Sequence, residues 1–186
     1  MKKCILLLFL VVSLPLFAEE SKNLVKNPSF TEISADGMPK FWGANIRKGP
    51  GGVPKCIFKQ VKEGQDDQSA MSINVPERNK SKAMAELFQH IRVKPNTKYY
   101  FSVYLKAVRS GAWPNVCLEF RDSRMKQMGH TGTKPENGDK GKDYTLYECS
   151  FKTKPNQKYV TISMRLQNLG CGEVYFDNAF LIELEN

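Results

Sequence analysis

KYYFSVYLKA, residues 98–107, reads as a β-strand with two unlike faces. Side chains alternate across a strand, so Tyr99, Phe101, Val103 and Leu105 make one wholly apolar set and Tyr100, Ser102, Tyr104 and Lys106 the opposite one. The same alternation recurs in KCIFKQV (55–61), SAMSINV (69–75), AELFQHIRV (85–93), NVCLEFRD (115–122), TLYECSFKT (145–153), KYVTISMRL (158–166) and EVYFDNAFLIEL (173–184). Between these runs stand KEGQDDQ, VPERNKSK, KPNT, RSGAWP and KPNQ, all rich in turn-forming residues, and no stretch keeps a helical period. The chain therefore predicts an all-β protein of about eight or nine antiparallel strands, closed as a sandwich or a barrel.

The start of the chain has a different character. Lys2 and Lys3 precede an apolar run from Ile5 to Phe17 that ends at Ala18, with Glu19 and Glu20 following. This pattern predicts a secretory signal peptide over residues 1–18, cleaved after Ala18, and a secreted or periplasmic protein. The run is shorter than the roughly 20 residues of a membrane span, and no second apolar stretch of that length follows. Residues 19–186 then form one domain, of a length that can bury its own core. Losing the segment removes two lysines and no acid, which takes the net charge from +9 to +7. The basic residues are scattered lysines rather than a run, a balance that fits either acidic partners, such as uronate or sulfated glycans or an anionic cell surface, or a plain solvated basic surface, and no nucleic-acid partner is expected. Cys56, Cys117, Cys149 and Cys171 remain; export permits two disulfides, and sequence does not choose among the three pairings.

Parity also selects candidate binding residues. In NVCLEFRD, Val116, Leu118 and Phe120 face inward while Cys117, Glu119 and Arg121 face out. Tyr100, Tyr104 and Lys106 with Glu119 and Arg121 on one exposed sheet face would suit a sugar: rings cover its apolar C–H faces and charged groups bind its hydroxyls. Trp113, in the connection SGAWPN, is the candidate for stacking on a sugar ring, whereas Trp42 reads as a core or rim residue. Gln89 shares parity with Ile91 and Val93, which argues for a buried structural amide. The longest gap, residues 123–142, is expected to be a loop that either overhangs the groove with Lys126, His130, Lys134, Lys140 and Lys142 or projects into solvent.

The ends of the chain carry a resemblance. NLVKNPSFTEISADGMPKFW (23–42) resembles the opening of carbohydrate-binding modules of families 4, 9 and 22, through Asn23, Leu24, Asn27, Phe30, Gly37, Pro39 and Trp42. FQHIRVKPNTKYYFSVYLKA is similar to their Q-x-I-x-V-x-P-x-T-x-Y centre, and GCGEVYFDNAFLIEL to their closing G-x-V-Y-F-D-D-V-x-L. The resemblance implies a galactose-binding-like jelly-roll β-sandwich, a non-catalytic role in binding polysaccharide or glycan, and a structural calcium away from the sugar face. Asp177 would be a calcium ligand with Glu32; the family glutamate is Thr31 here, and Glu32 one place later points the other way along a strand. The competing reading has Asp177 accepting backbone N–H bonds at the first strand. Two other functions fit the same fold. A structural or adhesive envelope protein would use the sandwich to hold a protein partner, and a jelly-roll polysaccharide lyase would need Tyr104 or His90 as base with Arg121 against a uronate carboxylate.

Overall fold

The computed structural model describes residues 22–49, 52–53, 55–66, 68–76, 84–109, 113–133, 143–167 and 171–185. The leader expected over residues 1–18 lies outside them, as do Lys134, Lys140 and Lys142 and the side chain of Trp113. The described residues form ten strands and no helix: β1 (Gly43–Arg47), β2 (Ile57–Val61), β3 (Ala70–Val75), β4 (Met84–Arg92), β5 (Lys98–Arg109), β6 (Trp113–Arg121), β7 (Gln127–Thr133), β8 (Thr145–Lys152), β9 (Tyr159–Gln167) and β10 (Gly172–Glu183). They build two five-stranded sheets, β1-β4-β9-β6-β7 and β2-β3-β10-β5-β8, with antiparallel neighbours throughout.

The core lies between the sheets and is made by the apolar parity set of each strand. Tyr99, Phe101, Val103 and Leu105 of β5, with Val174 and Phe176 of its neighbour β10, face Val116, Leu118 and Phe120 of β6 and Ile162, Met164 and Leu166 of β9 in the other sheet, all buried. Eight strands fall where alternation places them. The other two bury no apolar face: in β1, Gly-Ala-Asn-Ile-Arg, the short pair Ala44 and Ile46 stays at least partly exposed, and β7 comprises Gln-Met-Gly-His-Thr-Gly-Thr. Both are edge strands, so each follows a partner's ladder without needing an apolar pattern of its own. The expected 123–142 loop is thus corrected to a short turn, a strand over 127–133, and a segment outside the described residues.

Asp177 and Asn178 interrupt β10 because they form a bulge. Between Asp177 and Phe180 the register against β5 slips, and Asn178 takes the left-handed backbone that an Asn tolerates, at φ 48°. The bulge receives the start of the chain: Ala179 N donates to Pro28 O (3.1 Å), Leu181 N to Asn23 Oδ1 (3.0 Å), and Ser29 Oγ to Asn178 Oδ1 (2.5 Å).

The four cysteines are free thiols, which corrects the expectation of two disulfides. Cys56 precedes β2 and Cys149 lies in β8, at opposite edges of one sheet, roughly 19 Å apart at a strand spacing of about 4.8 Å, whereas bridged Cα atoms lie within about 7 Å. Cys117 sits on β6 in the other sheet, on its outer face, and Cys171 at the foot of β10. Burial pushes the Cys56 thiol up to about 12 and those of Cys117 and Cys149 upward as well.

Candidate functional site

The strand that opens the polar cluster is β4. Its apolar residues Ala85 and Leu87 point into the core, which turns Glu86, Phe88 and His90 outward. Register then sets their neighbours on one outer face: Arg165, Ser163 and Thr161 of β9 beside them, Cys117 and Glu119 of β6 next, and Asn45 of β1 opposite Glu86. Apart from Arg165 and Cys117, these residues line a groove of ≈ 450 Å³ together with Arg47, Arg121 and Met125, within the size range of small-molecule sites.

Its floor is a continuous array of charges. Arg165 Nε donates to Glu86 Oε2 (3.0 Å) and to Ser163 Oγ (2.8 Å), and its Nη2 to Glu119 Oε1. Arg121 Nη2 donates to the other Glu119 oxygen, Nε to Thr161 Oγ1 (2.8 Å) and Nη1 to Met125 O (2.9 Å). Glu86 also accepts from Asn45 Nδ2 (3.0 Å) and Ser163 Oγ (2.5 Å), with Arg47 3.7 Å away at the rim. Burial pushes the Glu86 carboxyl up, but the Ser163 and Asn45 hydrogen bonds and the Arg165 charge outweigh it and hold the group below its ordinary value. His90 Nδ1 lies 2.8 Å from Thr161 Oγ1. Burial and the nearby Arg121 charge lower the His90 value, so the ring is neutral at pH 7. Thr161 Oγ1 accepts from Arg121 Nε and contacts His90 Nδ1, which leaves Nε2 as the ring nitrogen open to a ligand. Phe88 packs against the His90 ring, centroids 5.2 Å apart. The groove therefore presents an aromatic edge, a neutral imidazole and paired charges on its floor.

The expected site residues divide between the two sheets. Glu119 and Arg121 lie in this groove, while Tyr100, Tyr104 and Lys106 belong to β5 and face outward from the opposite sheet. β5 and β6 are consecutive in the chain but lie in different sheets, so the single shared face is corrected. On the far face the groups already have partners. The Lys106 ammonium lies between the Tyr144 and Tyr175 rings (5.7 and 5.8 Å) and 3.5 Å from Glu63, and Tyr100 donates to Glu148. Trp113 opens β6 in line with Gln167 of β9, with its side chain outside the described residues. Asn45, Arg47, Glu86, Phe88, Ser163 and Arg165 went unnoticed in the sequence. Thr161, Ser163 and Arg165 are the polar parity set of KYVTISMRL and were legible as a face; their neighbours were not.

Trp42 and Gln89 are structural. Trp42 is buried, 5.1 Å from the Phe30 ring, and its Nε1 donates to Asn27 O (3.2 Å). Buried Gln89 accepts from Lys26 N and donates to Lys26 O, both at 2.9 Å, as a neighbouring strand's peptide would.

Asp177 and Glu32 do not meet as calcium ligands. The Glu32 carboxylate is about half exposed and 3.5 Å from Lys40 Nζ, whereas Asp177 is fully buried. Asp177 Oδ2 accepts from Gln65 N (2.8 Å) and Oδ1 from Asn178 N (2.7 Å), so its donors come from the loop after β2 and its own bulge rather than from the first strand. Among the described residues no set of three or more His, Cys, Asp or Glu side chains converges to hold a metal. The two side chains expected to hold calcium thus have separate partners here.

With this geometry in place, the chain can be set beside known structures. No protein-family model and no curated protein matches it in sequence. Its architecture matches the xylan-binding family 22 module of Paenibacillus barcinonensis Xyn10C at a TM-score of 0.59 and 12% identity, over 89% of this chain and 97% of that one. A family 4 carbohydrate-binding module matches at 0.57 and 16%, over 86% and 99%. The fold is the jelly roll of carbohydrate-binding modules. The enzymatically active domain of tailspike protein 4 from bacteriophage CBA120 gives a TM-score of 0.70 at 14% identity, but the 87% of this chain that aligns spans only 21% of that domain's chain. At such identities the likeness is one of fold.

Proposed function

We propose that this protein is an exported, non-catalytic glycan-binding protein that holds a saccharide on the outer face of the β1-β4-β9-β6-β7 sheet. The observation that carries the reading is the ≈ 450 Å³ groove on that face, lined by Phe88, His90, Glu119 and Arg121 over a paired ionic floor. A preformed groove of this kind binds sugar hydroxyls by charge-assisted hydrogen bonds and their C–H faces by the Phe88 and His90 rings. The fold it shares with saccharide-binding modules supports the reading. Placement removes Tyr104 from a lyase reading, because it sits on the sheet opposite Arg121, whereas His90 shares the groove with Arg121; a rise in ultraviolet absorbance on incubation with alginate or pectate would turn the proposal to that reading. Affinity electrophoresis of the mature protein through a panel of soluble polysaccharides tests the proposal. Retardation that His90→Ala weakens supports it; a folded protein retarded by none of the panel moves the function to a protein partner.

A further inference from the structure

A second cavity, of ≈ 470 Å³, adjoins the groove at His90, which lines both. Its walls include Lys26 and Phe41 of the opening segment, Arg92 of β4 and Tyr159 of β9, with Leu24, Gln89 and Ile91 behind them. The contrast with the groove is in charge. There Arg47, Arg121 and Arg165 are each held by Glu86 or Glu119. Among the described residues no carboxylate lines the second cavity, and neither Lys26 nor Arg92 forms an ion pair.

The walls are held in place by the core behind them. The two hydrogen bonds to buried Gln89 fix the Lys26 backbone against β4. Trp42 is drawn into the core, and the turn before it leaves Phe41 pointing to solvent, 56% exposed, on a left-handed backbone at φ 69°. A bulky residue rarely adopts that backbone, and such strain concentrates where a ligand is held. The Lys26 ammonium stands 5.3 Å from the Phe41 ring centroid.

We infer that this cavity is an anion subsite, taking a carboxylate- or sulfate-bearing sugar residue of a chain whose neighbouring residue lies in the groove across His90. Lys26 and Arg92 supply the charge and Phe41 and Tyr159 the apolar faces. This rests on the glycan-binding reading. The test is calorimetry with an oligogalacturonate and its methyl ester, and with a sulfated galactan oligosaccharide and its desulfated form, each pair differing in charge alone. The wild-type protein is expected to bind the charged member of one pair about tenfold or more tightly than its neutral partner, and the pair that discriminates names the anion. The preference should shrink toward 0.5 M salt, and the doubly substituted K26M/R92Q protein should bind the charged member no better than the neutral one. Equal binding of charged and neutral members overturns the anion subsite while leaving glycan binding in place. Preference that survives K26M/R92Q, with an unchanged melting curve, overturns this location for it. Absence of binding to all four overturns this inference, while the glycan reading stands or falls on the polysaccharide panel.

Discussion

Replacing Arg165 by Met keeps the side-chain length and removes the cation at the centre of the groove floor. Arg165 bridges two carboxylates, Glu86 and Glu119, whose side chains are each only 6% exposed, and is itself 10% exposed. Removing one partner of a buried pair typically costs about 3–5 kcal/mol, because the remaining charge has lost its compensation without regaining water. Glu86 keeps Asn45, Ser163 and the more distant Arg47, and Glu119 keeps Arg121, which places the loss near the lower end, at about 3 kcal/mol. For a domain of this size that is a fall in Tm of roughly 6–12 °C. The pH dependence carries the mechanism. In the wild-type protein the Glu86 value is depressed, so its contribution is present at neutral pH and lost as pH falls through the folded value. Without Arg165 two of the influences that lower the Glu86 value are lost, so the carboxyl takes up a proton at higher pH than in the wild type, and protonation relieves the uncompensated charge. The deficit measured by urea unfolding should therefore be largest at pH 7 and shrink by pH 5. A loss below about 1 kcal/mol at pH 7, or an equal loss at both pH values, would refute the argument.

Other outcomes follow from particular contacts. Burial raises Asp177 to about 6 despite the amides of Gln65 and Asn178, which is above its unfolded value. The protein should then gain stability as pH falls from 7 through 6 toward 4, by up to about 2–3 kcal/mol from this group, and Asp177→Asn should flatten that slope in thermal melts. Because the Asp177 oxygens already accept two amides and Glu32 turns outward to Lys40, a chelator should leave the Tm unchanged; a chelator-induced drop of several degrees, reversed by calcium, would contradict this. Gly43→Ala places a Cβ 2.5 Å from the Phe88 ring, which must swing aside into the groove. Glycan affinity should fall about tenfold in a binding titration, while the far-ultraviolet circular dichroism stays that of the wild type.

Most of the fold was legible because burial imposes alternation. Tyr99, Phe101, Val103 and Leu105 had to face one way, and the structure buries each of them. Strands β1 and β7 escaped because an edge strand of Asn, Gly and Thr needs only a partner's unpaired peptide groups. The site was legible strand by strand and no further. Alternation gave the outward set of β5 and that of β6 correctly, yet it says nothing about which sheet a strand enters, and β5 and β6 enter different ones. Neighbourhood across the groove is fixed by long-range register, such as Glu86 against Arg165 and Glu119 against Thr161. The Asp177–Asn178 pair announced an irregularity; that it was a bulge gripping residues 23–30, with the carboxylate satisfied by Gln65, depended on a loop that alternation does not position.

The most direct test of the central claim compares two single substitutions, one on each sheet, in affinity electrophoresis against a polysaccharide that retards the wild-type protein. His90→Ala removes an imidazole from the β1-β4-β9-β6-β7 face, and Tyr104→Ala removes a ring from the opposite one. The account predicts that His90→Ala loses most of the retardation and Tyr104→Ala keeps it. Retention lost in Tyr104→Ala and kept in His90→Ala would place the ligand on the other sheet and contradict the account.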